Sequence, residues 1–193
     1  MKRRGIDTRR VFNPAMLSAL VSSRQFAAAR EFARRHPDPK STPIPEIVDH
    51  LGETFLGRSV LDPDPLANKL TRRAIAPVRG TEIIMVVGAG CYFSRDALQD
   101  IVLDAPLLAK LRAANLLVLM SPGGALPTDF VKQWNQKHRE MPLYIAYRRE
   151  EWRNVDVREV PHFFVFRNGV LQASVSGWPK EGNKAALLKA LGG

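Results

Sequence analysis

Residues 82–87, Glu-Ile-Ile-Met-Val-Val, are a nearly unbroken apolar run closed by Gly80 on one side and Gly88 on the other. The run does not alternate between an inner and an outer face, so it reads as a strand buried on both sides. Such a strand has to be paired and covered, and the following sequence supplies the cover. Leu98, Ile101 and Val102 fall at helical spacing, and Asp104 and Pro106 mark a new helical start ahead of Leu107, Leu108 and Leu111. Residues 115–121 (NLLVLMS) read as a second buried strand, 126–140 as a helix with Phe130 and Trp134 one turn apart, and 142–148 as a third strand. Two further strands, 162–166 and 170–177, are joined by Asn168-Gly169, the strongest short hairpin signal. A last helix ends in glycine. The order β-α-β-α-β-β-β-α predicts an α/β protein, a mixed sheet flanked by helices.

The N-terminal part reads differently. Residues 14–35 predict a helix, with Pro14 in its first turn and Leu17, Leu20, Val21, Phe26 and Phe32 in its apolar stripe. Four prolines in 36–45 make a linker. Residues 45–57 read as a second short helix, and 62–73 as a turn followed by another helical segment. The expected organisation is a basic helical extension with a Pro-rich linker over 1–78 and an α/β domain over 79–193. There is no internal repeat.

With 193 residues, 45% of them hydrophobic, the chain can bury a core. It has no run of about 18 apolar residues, as a transmembrane helix would need. Of the net charge of +10, residues 1–80 hold 15 Lys and Arg against 8 Asp and Glu. That excess could attract nucleic acid, anionic lipid or an acidic protein, or be a solvated tail; charge alone carries the nucleic-acid reading. Residues 8–12 (TRRVF) resemble the start of a twin-arginine export signal. Pro14, Arg24 and Gln25 confine the apolar stretch behind it to 15–21, so a cytoplasmic location is the first expectation and periplasmic export the alternative.

Cys91 is the one cysteine, so no internal disulfide forms. It stands where the buried strand gives way to a helix. A thiol there faces unpaired backbone N–H groups and the positive end of the helix dipole, which favour the thiolate. Arg95 is close enough in sequence to add to this, and Gly88 and Gly90 would let the backbone take unusual angles. The competing reading is an inert cysteine acting as a small hydrophobe, with Ser94 capping the helix and Asp96 in its first turn. No metal site is expected, because His36, His50 and His138 lack ligand spacing. The Gly-rich stretch 121–129 lacks the lysine of a phosphate loop.

The sequence around Cys91, together with residues 156–178 (DVREVPHFFVFRNGVLQASVSGW), resembles the thioredoxin-like superfamily. That superfamily places a reactive cysteine at a strand-to-helix junction and, later, a cis-proline just before a hairpin. Pro161 takes the cis-proline position and Gly177 the glycine that ends the last strand. The 70 residues between Cys91 and Pro161 are similar to the redoxin-type branch, which inserts a strand and a helix. The likeness covers about residues 81–193. It implies Cys91, Ser94 and Pro161 as the catalytic positions. Tyr92, Phe93, Val160 and His162 would contact substrate, and the Val160 backbone would pair with an extended segment.

The departures shape the activity that is implied. The motif is Cys91-Tyr92-Phe93-Ser94, with serine where a resolving cysteine would stand. Gly90 replaces the aromatic residue that precedes the cysteine in thioredoxins, and Met85 replaces their buried carboxylate. A dithiol cycle needs a second thiol to release the mixed disulfide. Gly88 stands where peroxiredoxins need threonine, and Tyr92 replaces the glycine of the monothiol glutaredoxin motif. The resemblance therefore implies a monothiol protein that forms mixed disulfides with a protein or with glutathione. No resident cofactor is expected, and glutathione could serve as the resolving thiol. The alternative is a non-catalytic thioredoxin-fold binding module or assembly factor that takes a protein or extended peptide at the cis-proline surface.

Overall fold

A computed structural model describes residues 9–38, 41–122, 126–155 and 159–192. The basic run 1–8, residues 123–125 of the Gly-rich stretch, and 156–158 lie outside the described residues, as do the side chains of the twin-arginine-like segment.

One eight-stranded sheet organises the chain. In sequence order its strands are β1 (Glu46–Asp49), β2 (Arg58–Pro63), β3 (Lys69–Ile75), β4 (Thr81–Val87), β5 (Leu116–Met120), β6 (Leu143–Ala146), β7 (His162–Arg167) and β8 (Val170–Ser176). Their spatial order is β1-β3-β2-β6-β5-β4-β7-β8. Strands β4, β5 and β6 are parallel, while β7 runs antiparallel to β4, and β8 to β7. The expected buried strand is thus β4, central and buried from Glu82 to Val87. The β7–β8 turn has φ of 50° at Asn168 and 79° at Gly169, the doubly left-handed conformation that Asn-Gly favours.

Among the described residues six helices accompany the sheet: α1 (Arg9–Ser22), α2 (Phe26–Arg35), α3 (Tyr92–Leu103), α4 (Ala105–Ala113), α5 (Thr128–Lys137) and α6 (Lys184–Ala190). A 3₁₀ segment, Arg149–Val155, follows β6. On one sheet face Met85, Val87, Val118, Ile145 and Phe163 form a core with Phe26, Leu98, Ile101, Leu111, Val131 and Leu187 from the helices. On the other, Ile84, Val86, Leu119, Phe164 and Phe166 pack with Trp152 and Val155 of the 3₁₀ segment. Each such fully buried large apolar side chain stabilises the fold by roughly 1.5–3 kcal/mol.

The N-terminal half corrects three expectations. The helix read over 14–35 is two helices, broken at Arg24, whose φ is 61°. There the guanidinium is buried and donates to the carbonyls of Ala146 and Tyr147 at the end of β6. Pro14 lies inside α1 instead of in its first turn, because the helix already starts at Arg9. Residues 45–57 and 62–73 are not helical; they contribute β1, the last two residues of β2, and most of β3. The physical reason is two side-chain turns. Asp49 Oδ1 accepts from the amides of Leu51 and Gly52, and Asp64 Oδ1 from those of Leu66 and Ala67, capturing N–H groups that a helix would use in its own ladder. Strand β2 pairs with β6 through Val60–Ala146 and Leu61–Ile145, so these N-terminal strands extend the sheet.

Candidate functional site

The site is built where β4 ends. After Val87 the chain passes through Gly88, Ala89 and Gly90, and Cys91 becomes the N-cap of α3 with φ −87° and ψ 121°. The Cys91 N–H donates to the Gly88 carbonyl at 3.1 Å, and its carbonyl accepts from the Arg95 amide at 3.2 Å. The thiol is half-buried and makes no capping bond to its own helix. Instead Sγ lies 3.2 Å from the Val160 carbonyl oxygen, 69 residues away, in the geometry of a thiol donating to that oxygen.

The Val160–Pro161 peptide is cis. Pro161 is buried, and its carbonyl accepts from the Gly177 amide at 2.8 Å, which ties the loop to the end of β8. Gly88 permits the close approach of this loop, since a Cβ there would lie 3.0 Å from Val160 Cγ2. The expectation that Gly88 and Gly90 adopt unusual backbone angles is not met. Neither has a left-handed φ, and nothing lies near the position of a Gly90 Cβ.

Ser94 is fully buried, and its Oγ accepts from the Gly88 amide at 3.2 Å. It does not cap α3, as one reading of the sequence expected: Cys91 holds the N-cap position and Asp96 falls beyond the first turn. The serine instead ties the first turn of α3 to the end of β4. Tyr92 and Phe93 point outward, 63% and 54% exposed, with ring centroids 6.0 Å apart at 75°. The Arg95 guanidinium lies 5.8 Å from the Tyr92 ring centroid.

His162 opens β7 in register with Val86 and Ser176. Its ring stacks on Phe164 at 4.5 Å, over the sheet face that carries Ile84 and Val86. Partial burial pushes its pKa below the usual imidazole value, against the smaller opposing pull of the Glu159 carboxylate. The structure therefore joins Cys91, Ser94, Val160 and Pro161 in one contact network, with Tyr92 and Phe93 on its rim, whereas the ring of His162 is held by Phe164. Among the described residues no cluster of three or more His, Cys, Asp or Glu side chains could hold a metal ion. No described helix is long and apolar enough to cross a membrane.

Two features of the surroundings escaped the sequence reading. One is the role of Gly88 as the gap into which Val160 fits. The other is Arg72, a buried arginine that holds Asp49, Glu151 and Ser59 together. The alternation of Leu70 and Arg72 along β3 was a usable signal for its inward placement.

A parallel β4–β5 pair, antiparallel β7 and β8 beside β4, a helix starting at the cysteine and a cis-proline before β7 together define a thioredoxin-like fold. No protein-family model matches the chain, and no curated protein sequence does. Solved structures similar to it include the pneumococcal exposed lipoprotein thioredoxin Etrx1 from Streptococcus pneumoniae, at 18% identity and a TM-score of 0.47, covering 69% of this chain and 98% of that one. StoA from Bacillus subtilis is similar at 13% identity and a TM-score of 0.47, over 62% of this chain and 89% of its own. A secreted Mycobacterium tuberculosis disulfide oxidoreductase, described as homologous to Escherichia coli DsbE, shares 10% identity at a TM-score of 0.48 over 68% and 93% of the two chains.

Proposed function

We propose that the protein is a monothiol member of the thioredoxin-like fold that forms mixed disulfides through Cys91. The observation that carries this reading is the contact between Cys91 Sγ and the Val160 carbonyl at 3.2 Å, with the thiol half-exposed at the N-cap of α3. A buried spectator cysteine would sit inside the apolar core; this one sits at its edge, beside open backbone. In the reaction the Cys91 thiolate attacks one sulfur of a partner disulfide. A new S–S bond forms as the old one breaks, and the second partner sulfur leaves as a thiolate. With Ser94 at the fourth motif position and no other cysteine in the chain, release needs an external thiol, for which glutathione or a second protein thiol would serve.

The roles follow the geometry. Val160 offers the backbone of an extended docking site, Pro161 holds that loop to the end of β8 through its carbonyl, Tyr92 and Phe93 form the side-chain rim, and Ser94 supports the first turn of α3. A second reading is a non-catalytic binding module that uses the same surface. It is favoured by Met85, fully buried in β4 where thioredoxins keep a proton-handling carboxylate.

Reaction with 5,5′-dithiobis(2-nitrobenzoate) separates the two. The monothiol reading expects the native chain to release one thionitrobenzoate at a rate at least equal to that of the urea-unfolded chain, and Cys91→Ser to release none. Release only on unfolding would sink it, and a partner retained equally by Cys91→Ser would establish the binding module.

A further inference from the structure

We propose that Tyr92 and Phe93 select the substrate of Cys91, and that the selected sulfur belongs to a protein cysteine flanked by large apolar side chains, in preference to glutathione. This inference rests on the mixed-disulfide reading given above.

Tyr92 and Phe93 occupy the two positions after the thiol, in the first turn of α3, and both rings are more than half exposed. They touch each other edge to face, and Arg95 lies over Tyr92. They contribute to neither core cluster. Two aromatic rings left in water beside a half-exposed thiol are apolar surface waiting for cover. The rings follow the thiol directly in the chain, and the sulfur's own contact is the Val160 backbone carbonyl, so apolar cover for the rings has to come from whatever binds at this site.

Glutathione brings two carboxylates, one ammonium and no large apolar side chain, so it would gain little from the rings. A peptide segment with leucine or phenylalanine beside its cysteine covers the rings, and burying about half of each is worth about tenfold in rate.

The test uses the full chain and three disulfides, each pairing thionitrobenzoate with a different thiol: a peptide with Leu-Cys-Phe at its centre, one of equal length and charge with Gly-Cys-Gly, and glutathione. Attack by Cys91 on the peptide or glutathione sulfur forms the mixed disulfide and expels thionitrobenzoate, whose absorbance gives the second-order rate. Each rate is divided by that of free N-acetylcysteine with the same reagent, which removes intrinsic differences between the disulfides.

The corrected rate for the apolar peptide should exceed that for the glycine peptide about tenfold, with glutathione no faster than the glycine peptide. The ratio should fall to about one in Tyr92→Ser/Phe93→Ser and be kept in Tyr92→Leu/Phe93→Leu, which preserves apolar surface at the same positions. Equal corrected rates for the two peptides in the unaltered chain overturn this inference alone, as does a preference that survives the serine substitutions. No release from any of the three reagents overturns the mixed-disulfide reading and this inference with it.

Discussion

The guanidinium of Arg72 on β3 holds the carboxylate of Glu151 at 2.8 Å, tying the N-terminal strands to the 3₁₀ segment 79 residues further along the chain. The same guanidinium donates to Asp49 and to Ser59 Oγ, and lies 4.0 Å from the Tyr147 ring centroid and 5.4 Å from that of Phe55. Ser59 in turn donates from its amide and its hydroxyl to Glu151. The charges of Arg72 and Glu151 are desolvated, and each depends on the other for compensation, while Asp49 stays partly in solvent.

Arg72→Met should therefore be costly, because it strands the Glu151 carboxylate, whose side chain is only 9% exposed. The expected loss is about 3–5 kcal/mol, measured as a fall in the urea midpoint without a change in slope. Adding Glu151→Gln to that variant should recover part of the loss, since the stranded charge is then gone. A loss below about 1 kcal/mol for Arg72→Met would show the cluster to be incidental to stability.

Gly88 and Val160 make a second coupled pair, this one at the thiol. With 3.0 Å between a Gly88 Cβ and Val160 Cγ2, Gly88→Ala must push the Val160–Pro161 loop outward by a few tenths of an ångström. Overpacking of this kind costs about 1–3 kcal/mol. Because the Val160 carbonyl is the contact of Cys91 Sγ, the rate of thiol modification should change several-fold as well. Val160→Ala in the same chain makes room for the methyl and should restore both stability and rate. Additive effects of the two substitutions would disprove the coupling.

The His162 ring provides a pH prediction. Burial lowers its pKa in the folded chain, so between that value and the ordinary imidazole value near 6.5 the unfolded chain binds more protons than the folded one. Stability contributed by the neutral ring is complete above about pH 6.5 and declines as the pH falls through that window. Urea midpoints measured from pH 7.5 down to 5 should show this decline, and His162→Phe, which keeps a stacked ring on Phe164, should flatten it. An unchanged profile in that variant would assign the acid sensitivity to other groups.

What the sequence made legible follows from where local and tertiary signals agree. Residues 82–87 read as a buried strand because β4 is covered on both faces, and Asn168-Gly169 specified its hairpin through backbone conformation alone. The meeting of Cys91 with Val160 was reachable only through the family resemblance, since no local pattern links residues 69 apart. Residues 45–57 misled because Ile47, Val48, Leu51 and Phe55 happen to fit a helical period, while Asp49 and Gly52 form the turn that decides the structure. Arg24 and Arg72 were invisible as core residues because arginine is ordinarily a surface residue. Their burial depends on carbonyls and carboxylates that arrive from distant strands.

Ser94 sets the last prediction. It stands three residues after Cys91, is fully buried, and accepts from the Gly88 amide. Ser94→Ala leaves that amide without its partner and should cost about 1–3 kcal/mol while Cys91 still reacts once. Ser94→Cys restores a second thiol three residues after the first, on the same turn of α3. With 5,5′-dithiobis(2-nitrobenzoate), the unaltered chain should release one thionitrobenzoate and retain the other as a stable mixed disulfide. In Ser94→Cys the second thiolate should attack Cys91 Sγ, close an internal disulfide and expel the retained group, doubling the absorbance without further reagent. Mass analysis should then find the chain free of adduct and two hydrogens lighter than its reduced form. A stable adduct in Ser94→Cys would mean that the first turn of α3 holds the new thiol, like the serine hydroxyl, toward Gly88 and out of reach of Cys91, so that the fold itself and not only the missing sulfur confines the protein to monothiol chemistry.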